Sequence, residues 1–310
     1  MISLAPIVLF VYKRPKHTIQ TIEYLKKNKL AKESDLFIFS EYQKTNEDLA
    51  DVTAVRTYLK TIEGFKSITI IERPVFFGLA KSVINGISNV FEKHDRVIVL
   101  EDDIITSPVF LEYMNEGLEK YEDNKKIFSI TGFCYPPGLM EIYNEYKHDV
   151  YLLPRASSWG WGTWRDRWYR ADWDVRDFNE FSKSEELQKK YDATGGDKSR
   201  MLIKQMQGQI DSWAIRWDYT HYKNNAYGLF PVKSLINNIG LDKSGTHTKN
   251  LKEYTNEITG FKPTFPININ TDSKIVAAYK KIYTKGGYVF KIKKMFQFFL
   301  EKIKPTQYRT

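Results

Sequence analysis

Three consecutive carboxylates, Glu101, Asp102 and Asp103, follow a short apolar run that has the pattern of a buried strand. Mutual repulsion makes this grouping costly unless a cation neutralises it. Hard divalent ions such as Mg²⁺ or Mn²⁺ take oxygen ligands, and they use only one or two protein carboxylates when phosphates complete the shell. The cluster therefore predicts a divalent-metal site, and the alternative is acidic capping of a helix that starts after Ser107.

The first half of the chain alternates β-rich runs with helical patterns. Strand and helix alternation of this kind predicts an α/β fold with a mainly parallel sheet and helices on both faces. The predicted helices lie near 16–27, 46–59 and 78–91, and the predicted strands near 6–12, 36–40, 67–71, 96–100 and 127–131.

Polar residues follow each of the first four predicted strands. Arg14 follows the first, Glu41 the second, Arg73 the third and the acidic cluster the fourth. Ligands of parallel sheets bind at the carboxyl ends of the strands, so these side chains are expected to surround one site. The sequence lacks a G-x-G-x-x-G after its first strand and lacks a Walker A motif, which argues against a dinucleotide enzyme or a P-loop NTPase.

The regular alternation weakens in the second half, which is rich in Trp, Tyr and Gly. Three parts are predicted: a ligand-binding half over 1–126, a half over 127–272 that supplies the pocket for a second substrate, and a C-terminal tail over 273–310. No repeats or long low-complexity linkers separate the halves, so they are expected to pack as one compact domain.

Tryptophans are interleaved with Gly and Ser between Arg155 and Trp164, which would expose indole faces. Sugars stack on such faces, so Trp159, Trp161 and the later Trp213 are candidates for a sugar or acceptor pocket. The alternative is a structural Trp cluster in the core.

Three segments together resemble the GT-A glycosyltransferases: Pro-Ile-Val-Leu-Phe-Val-Tyr-Lys-Arg-Pro at 6–15, Phe-Gly-Leu-Ala-Lys-Ser at 77–82 and Val-Leu-Glu-Asp-Asp-Ile at 99–104. Within that group the chain is similar to bacterial family 2-like enzymes and to N-acetylglucosaminyltransferase I, which carries a Glu-Asp-Asp version of the Asp-x-Asp motif. The resemblance extends to the Trp-Gly-Trp-Gly run at 159–162.

The resemblance implies that Asp103 binds the metal directly, while Asp102 and Glu101 meet ribose or metal-bound water. It also implies a late metal or diphosphate ligand, for which His247 is the candidate; a solvated histidine is the alternative. The metal would be Mn²⁺ or Mg²⁺, and the co-substrate a nucleotide-sugar, with UDP preferred and GDP or dTDP left open.

The resemblance further implies that Arg14 and Glu41 line the nucleoside pocket. Glu41 stands where the family has Asp, which leaves its contact with the base in doubt. Arg73 would contact base or phosphate, and Lys81 would approach phosphate; the alternative for the two arginines and the lysine is a solvated surface charge.

Asp211, in an Asp-Ser-Trp segment, resembles the base of inverting relatives. An inverting transferase needs a carboxylate to take the proton of the acceptor hydroxyl. The predicted activity is therefore inverting transfer of a hexosyl or N-acetylhexosaminyl group to a glycan or lipid-linked oligosaccharide, with retaining chemistry left open. The alternative role of Asp211 is an N-cap of the helix predicted around it.

The net charge of +9 is concentrated at the C-terminus, because 274–310 contain ten Lys or Arg and one Glu. That distribution argues against a nucleic-acid-binding body. A basic amphipathic tail can lie on an anionic membrane, and the alternative is a helix packed on the body. The single cysteine, Cys134, is predicted to be buried, and with no secretory segment recognised it indicates a reducing compartment.

These features predict a cytoplasmic bacterial enzyme of cell-surface polysaccharide synthesis, peripheral to the inner face of the membrane; a homodimer is left open. Two other functions compete with this one. A nucleotidyltransferase that makes sugar nucleotides would carry a glycine-rich basic loop after the first strand, and 11–15 lack one. A noncatalytic carbohydrate-binding protein would use the tryptophans without the carboxylates.

Overall fold

The computed structural model describes residues 4–196, 198–242, 254–258 and 260–283. Its strands are β1 (Ile7–Val11), β2 (Asp35–Ser40), β3 (Ser67–Glu72), β4 (Arg96–Glu101), β5 (Ile104–Thr106), β6 (Ile127–Thr131), β7 (Val150–Leu153), β8 (Trp161–Trp164), β9 (Tyr227–Pro231) and β10 (Ile236–Asn238). The five strands predicted from the sequence match β1 to β4 and β6, with bounds that differ by at most one residue.

Eight of the described strands form one sheet in the order β3-β2-β1-β4-β8-β6-β9-β7. The first four run parallel, β6 is parallel to β9, and β8 runs antiparallel to both β4 and β6. β7 is antiparallel to β9, and β5 pairs with β10 in a separate two-stranded sheet. The predicted α/β fold with a mainly parallel sheet is confirmed, and one sheet runs through both predicted halves.

The helices are α1 (Pro15–Lys26), α2 (Leu49–Leu59), α3 (Leu79–Val90), α4 (Phe110–Lys120), α5 (Arg165–Trp168), α6 (Phe178–Lys183), α7 (Glu185–Asp192), α8 (Lys198–Met206) and α9 (Trp213–Lys223). Three-residue 3₁₀ turns at Ala31–Glu33 and Asn46–Asp48 precede β2 and α2, and a 3₁₀ turn at Ile239–Asp242 follows β10.

Both faces of the sheet are covered, which explains why its central strands are continuously apolar. Ile7, Leu9 and Val11 of β1 join one core cluster together with residues of α1, α2 and α4. Val8 and Phe10 point the other way and join a second cluster with residues of α3 and α9. The alternation of side chains along one strand therefore fixes which helix covers which face.

Tryptophans dominate the second cluster. Trp161 of β8 stacks on Trp213 with ring centroids 5.1 Å apart, and Trp168 contacts Trp173 at 4.5 Å and Trp217 at 5.3 Å. Because these rings come from β8, α5, α9 and the loop after α5, they attach α9 to the sheet.

The first part of the predicted tail belongs to the body. Residues 273–283 are helical, and Ile275, Tyr279 and Ile282 are buried in the same cluster as β1. This contact is the packed-helix alternative for that part. Residues 284–310 lie outside the described residues, so membrane binding by the tail stays a prediction. Within the described ranges, no helix is long and apolar enough to cross a membrane.

Cys134 is buried, as predicted, and burial raises the pKa of its thiol to about 12. The thiol is therefore protonated and unreactive at neutral pH.

We expect acid to destabilise the fold through His221, which is fully buried on α9. Its Nδ1–H donates to the Trp217 carbonyl oxygen at 2.9 Å, so Nε2 accepts from the Ser129 hydroxyl at 2.9 Å. Burial lowers the pKa of His221 from 6.5 to about 4, so the folded state keeps the ring neutral while the unfolded state binds a proton. Stability should fall as pH drops from 6.5 towards 4, by about 3 kcal/mol in total from this group.

Urea denaturation of wild type and His221→Gln between pH 7 and pH 4 measures this effect. The variant should lose less stability than wild type over that range. His148→Gln, at an exposed histidine, should keep the wild-type dependence. Equal slopes for wild type and His221→Gln would refute the assignment.

Candidate functional site

The acidic cluster lies at the carboxyl end of β4, which pairs with β1 and lies near the middle of the eight-stranded sheet. Asp102 and Asp103 are 4% and 8% exposed. Arg14, in the turn between β1 and α1, places Nη2 against Asp102 Oδ1 and 2.9 Å from Asp103 Oδ2. The predicted meeting of the first and fourth strand ends is therefore present as a bridge of one guanidinium between two carboxylates.

Burial and mutual repulsion dominate the electrostatics of the cluster. Burial, together with the carboxylates of Asp103 and Asp102, raises the pKa of Glu101 to about 8. Burial also raises the pKa of Asp103 although Arg14 opposes the shift. Glu101 accepts a hydrogen bond from the Trp213 side chain. One guanidinium thus compensates three adjacent carboxylates only in part.

Two buried atoms at the bridge have no hydrogen-bond partner within the described residues: Asp103 Oδ1 and Arg14 Nη1. Buried polar atoms are almost always paired with protein, water or ligand. The two atoms lie on the two sides of one ion pair, so an oxygen-binding cation and an anionic group would both find partners here.

The 3₁₀ turn at Ile239–Asp242 covers the bridge. Ile239 N donates to the Asp103 carbonyl oxygen at 2.8 Å, and Asp242 pairs with His17 of α1 at 3.2 Å. A Cβ at Gly240 would lie 2.8 Å from Arg14 Nη1 and closer still to Asp103. The turn leads into 243–253, outside the described residues, and the candidate ligand His247 falls there. Within the described ranges, no three acid, histidine or cysteine side chains converge to hold a metal ion.

Glu41 follows β2 and connects the loop after β2 with the loop after β3. Its Oε1 accepts from Tyr42 N at 2.8 Å and from Phe77 N at 3.0 Å, whereas its buried Oε2 has no hydrogen-bond partner within the described residues. Burial raises the pKa of Glu41. Its second oxygen is a buried acceptor beside the loop that leads into α3.

Arg73 is buried, not surface-exposed, which overturns the solvated alternative. Its guanidinium lies over the rings of Phe39 and Phe77, at 4.8 and 4.6 Å from their centroids. It donates to Asn85 Oδ1 at 2.8 Å and to the Ser82 carbonyl oxygen at 3.2 Å. These contacts hold α3 against the sheet. Phosphate contact by Arg73 remains a prediction.

Arg14 is likewise mostly buried in its ion pairs, so its solvated alternative is also wrong. Lys81 is exposed on α3, with Nζ 4.6 Å from the centroid of the Phe77 ring, which fits its solvated alternative.

Asp211 caps a helix other than the one predicted. Helix α9 begins at Trp213, and its N-cap is Ser212, whose hydroxyl accepts from Ile215 N. The carboxylate of Asp211 accepts from Ala80 N in the first turn of α3, at 3.3 Å from each oxygen. The N-cap expectation was therefore wrong about the helix, because the contact joins residues 131 apart in sequence. Asp211 is exposed, two residues from the Trp213 that donates to Glu101.

The three candidate tryptophans have different environments. Trp161 is fully buried, so the prediction that its indole face is exposed to a sugar is wrong; packing on Trp213 explains its burial. Trp159 is partly exposed. Trp159 and Trp213 line a cavity of about 280 Å³ beside the acidic cluster.

The cavity also contains charged residues that the sequence analysis did not select: Arg155, Lys198 and Asp218. Lys198 pairs with Asp218 at 2.8 Å, although α8 and α9 are separate helices. Nothing in the spacing of these residues indicates the contact. The remaining lining includes Phe133, Tyr135, Ser157, Ser158, Met201, Tyr254 and Tyr283.

Solved structures that resemble this chain include glycosyltransferases. The mannosyltransferase PcManGT from Pyrobaculum calidifontis, in complex with GDP-Man and Mn²⁺, is 11% identical, with 54% of this chain and 48% of that chain covered and a TM-score of 0.37. TarS from S. aureus is 10% identical in a structure of residues 1–349, with 74% and 59% covered and a TM-score of 0.40. A longer TarS structure gives 12% identity, 74% and 36% covered, and a TM-score of 0.38.

This chain spans about half the length of the matched mannosyltransferase. No family model and no curated protein matches the sequence. At these identities and TM-scores the matches assign neither a family nor an activity, and function has to be inferred from the site.

We expect Trp161→Ala to lower the free energy of unfolding by about 3–5 kcal/mol, because it empties a fully buried position. Trp159→Ala should cost clearly less, because part of its ring is already in solvent. Urea denaturation at pH 7 measures both, and equal losses would contradict the different roles assigned to the two rings.

Proposed function

We propose that this chain is a metal-dependent glycosyltransferase of the GT-A type that uses a nucleotide-sugar. The observation that carries the proposal is the partly compensated carboxylate cluster at the carboxyl end of β4, where Asp103 Oδ1 and Arg14 Nη1 are buried without partners among the described residues. A carboxylate oxygen and a guanidinium nitrogen on the two partners of one ion pair suit a divalent cation bound to a diphosphate.

The residues present fit a hard cation. Asp103 offers a buried carboxylate oxygen, Asp102 lies beside it, and the donor set contains oxygen only. A cation that uses one or two protein carboxylates and completes its shell with phosphate and water needs no convergence of three protein ligands. Mn²⁺ or Mg²⁺ would supply charge stabilisation to the departing nucleoside diphosphate. His247 stays a proposed further ligand.

Three chain segments would surround the nucleotide. Glu41 Oε2 is a buried acceptor suited to a base or ribose donor, and Arg14 Nη1 is a donor suited to a phosphate oxygen. Arg73 holds α3 against the sheet through Ser82 and Asn85. This arrangement supports a nucleoside site along the ends of β1 to β3, with UDP as the proposed nucleotide.

Asp211 is the proposed base. It is exposed, it lies at the N-terminus of α3, and its neighbour Trp213 contacts Glu101 on one side and lines the cavity on the other. A carboxylate at that junction can take a proton from an acceptor hydroxyl held in the cavity. Direct displacement with inversion follows, and the acceptor is a glycan or lipid-linked oligosaccharide of cell-surface polysaccharide.

We expect Asp103→Asn to weaken Mn²⁺-dependent UDP binding at least about 10-fold, because the amide removes the charge that the cation needs. Calorimetric titration of UDP with Mn²⁺, and again with EDTA, measures the effect. Asp177→Asn is a matched control, since that acid pairs with Lys223 on α9 at 2.7 Å, away from the strand ends. Unchanged UDP binding in Asp103→Asn, or full binding in EDTA, would contradict the proposed metal site.

We expect Asp211→Asn to lower kcat by about 10²–10⁴-fold while UDP binding stays close to wild type, because only proton transfer is lost. Since Asp211 also caps α3, Asp211→Ser serves as a second variant, as serine caps a helix but cannot act as the base. Thermal denaturation reports the cap, and sugar transfer reports the base. Near-normal turnover in both variants would exclude Asp211 as the base.

A further inference from the structure

Among the described residues that line the cavity, positive charges outnumber negative ones. Lys198 and Asp218 are 2% and 6% exposed and pair with each other at 2.8 Å. Asp218 also accepts from the Tyr191 hydroxyl and from Ala156 N, each at 2.9 Å. The carboxylate is thus fully engaged by the lysine, a hydroxyl and a backbone amide.

Arg155 is the second cation on this lining. Its Nη1 donates to the Tyr279 hydroxyl at 3.1 Å, and its guanidinium lies 5.1 Å from the centroid of the Tyr283 ring. No ion pair that joins two described residues includes Arg155, and Asp218 acts on it only at longer range. The described part of the lining therefore carries two cations and one carboxylate.

Arg155 is half-buried, and removing a cation from water without a counter-ion costs free energy that a bound anion would offset. Burial also disfavours the charged form of Lys198, because it lowers the pKa of the ammonium to about 8 even though Asp218 opposes the shift. A bound anion would offset this cost.

The rest of the lining suits a sugar. Tyr135 and Trp159 each make edge contacts with both Phe133 and Tyr254, and Ser157 and Ser158 belong to the same lining. Aromatic rings pack on the apolar faces of sugars, while hydroxyls bond their edges. A guanidinium adds recognition of a planar or tetrahedral oxyanion through two parallel hydrogen bonds.

We propose that this cavity selects an acidic acceptor: a sugar that carries a carboxylate or a phosphate group, with Arg155 binding the anion and Lys198 adding positive charge. This inference rests on the proposed function, because it places the acceptor next to Trp213 and Asp211. The inference adds the charge of the acceptor and the residue that binds the charged group.

The back of the cavity explains why Arg155 is held in place. Tyr279 and Tyr283 come from the helical segment 273–283, and they pack on Gly195 and Gly196, both of which have positive φ. A Cβ on either glycine would collide with the tyrosine that covers it. The C-terminal segment therefore holds the guanidinium through Tyr279, which accepts its hydrogen bond, and through Tyr283, which lines the cavity together with Arg155.

The test uses three simple probes with the full chain: methyl β-D-glucuronide, methyl β-D-glucoside 6-phosphate and the neutral methyl β-D-glucoside. NMR titration in the millimolar range measures each dissociation constant at low and high salt. We expect wild type to bind one acidic probe at least about 10-fold more tightly than the neutral one, and the preference to shrink with salt. The acidic probe that binds more tightly shows whether the cavity prefers a carboxylate or a phosphate group.

Arg155→Gln should abolish the preference, whereas Arg155→Lys should retain part of it. Arg167→Gln is the matched control, because the Arg167 guanidinium also lies over an aromatic ring, 4.4 Å from the centroid of Trp164, and Arg167 does not line the cavity. It should leave the preference unchanged. Circular dichroism checks the fold of each variant, and if Arg155→Gln does not fold, Arg155→Lys and the wild-type comparison decide.

Equal binding of all three probes by wild type, or no binding of either acidic probe, would overturn this inference. UDP titration with Mn²⁺ on the same samples separates a failure of the acceptor assignment from a failure of the proposed function. If wild type binds UDP but does not prefer the acidic probes, only the acceptor assignment is overturned. If wild type does not bind UDP with Mn²⁺, the proposed function itself is overturned.

Discussion

The guanidinium of Arg14 between Asp102 and Asp103 is the interaction around which the site is built. Parallel pairing of β1 and β4 brings the two strand ends together, so the turn after one strand supplies a cation to the carboxylates after the other. Without that cation, two carboxylates that are nearly inaccessible to water would face each other unneutralised. The compensation is incomplete, because Glu101 still has a raised pKa and Asp103 keeps an unpartnered oxygen. Stability and ligand affinity therefore oppose each other at this end of the sheet.

Trp213 connects the two sides of the site. Its indole contacts Glu101, its ring stacks on Trp161 of β8, and its side chain lines the cavity. Because α9 begins at this residue, the position of the helix determines where both Asp211 and Asp218 lie. The tryptophan cluster, predicted as a candidate binding surface, is mainly the packing that sets the distance between the proposed donor and acceptor sites.

The sequence predicted the part of the molecule in which neighbouring elements pair. Strands β1 to β4 and the helices between them have strong periodicity. The carboxyl ends of parallel strands meet at one edge of a sheet whatever their separation in sequence, so Arg14, Glu41 and the acidic cluster were correctly expected at one sheet edge. The errors concern contacts between distant segments. Asp211 caps α3, Trp161 is covered by α9, and Lys198 meets Asp218, and no local pattern records any of these contacts. The sequence allowed Arg73 to be either a surface charge or a site residue, because a single sequence does not show that two phenylalanine rings enclose it.

The antiparallel strand β8 has a consequence for how the chain can be divided. It lies between β4 and β6, so within the main sheet β4 is hydrogen-bonded to the second half through a strand that follows some sixty residues later in the chain, after β6 and β7. A fragment that ended before β8 would leave β4, an apolar central strand, with its hydrogen-bonding edge open to other chains. The acidic cluster would then lie at an unpaired sheet edge, which is prone to aggregation. During synthesis the first half has to wait for residues 161–164 before its sheet is closed, which makes this protein a poor candidate for splitting into independently expressed halves.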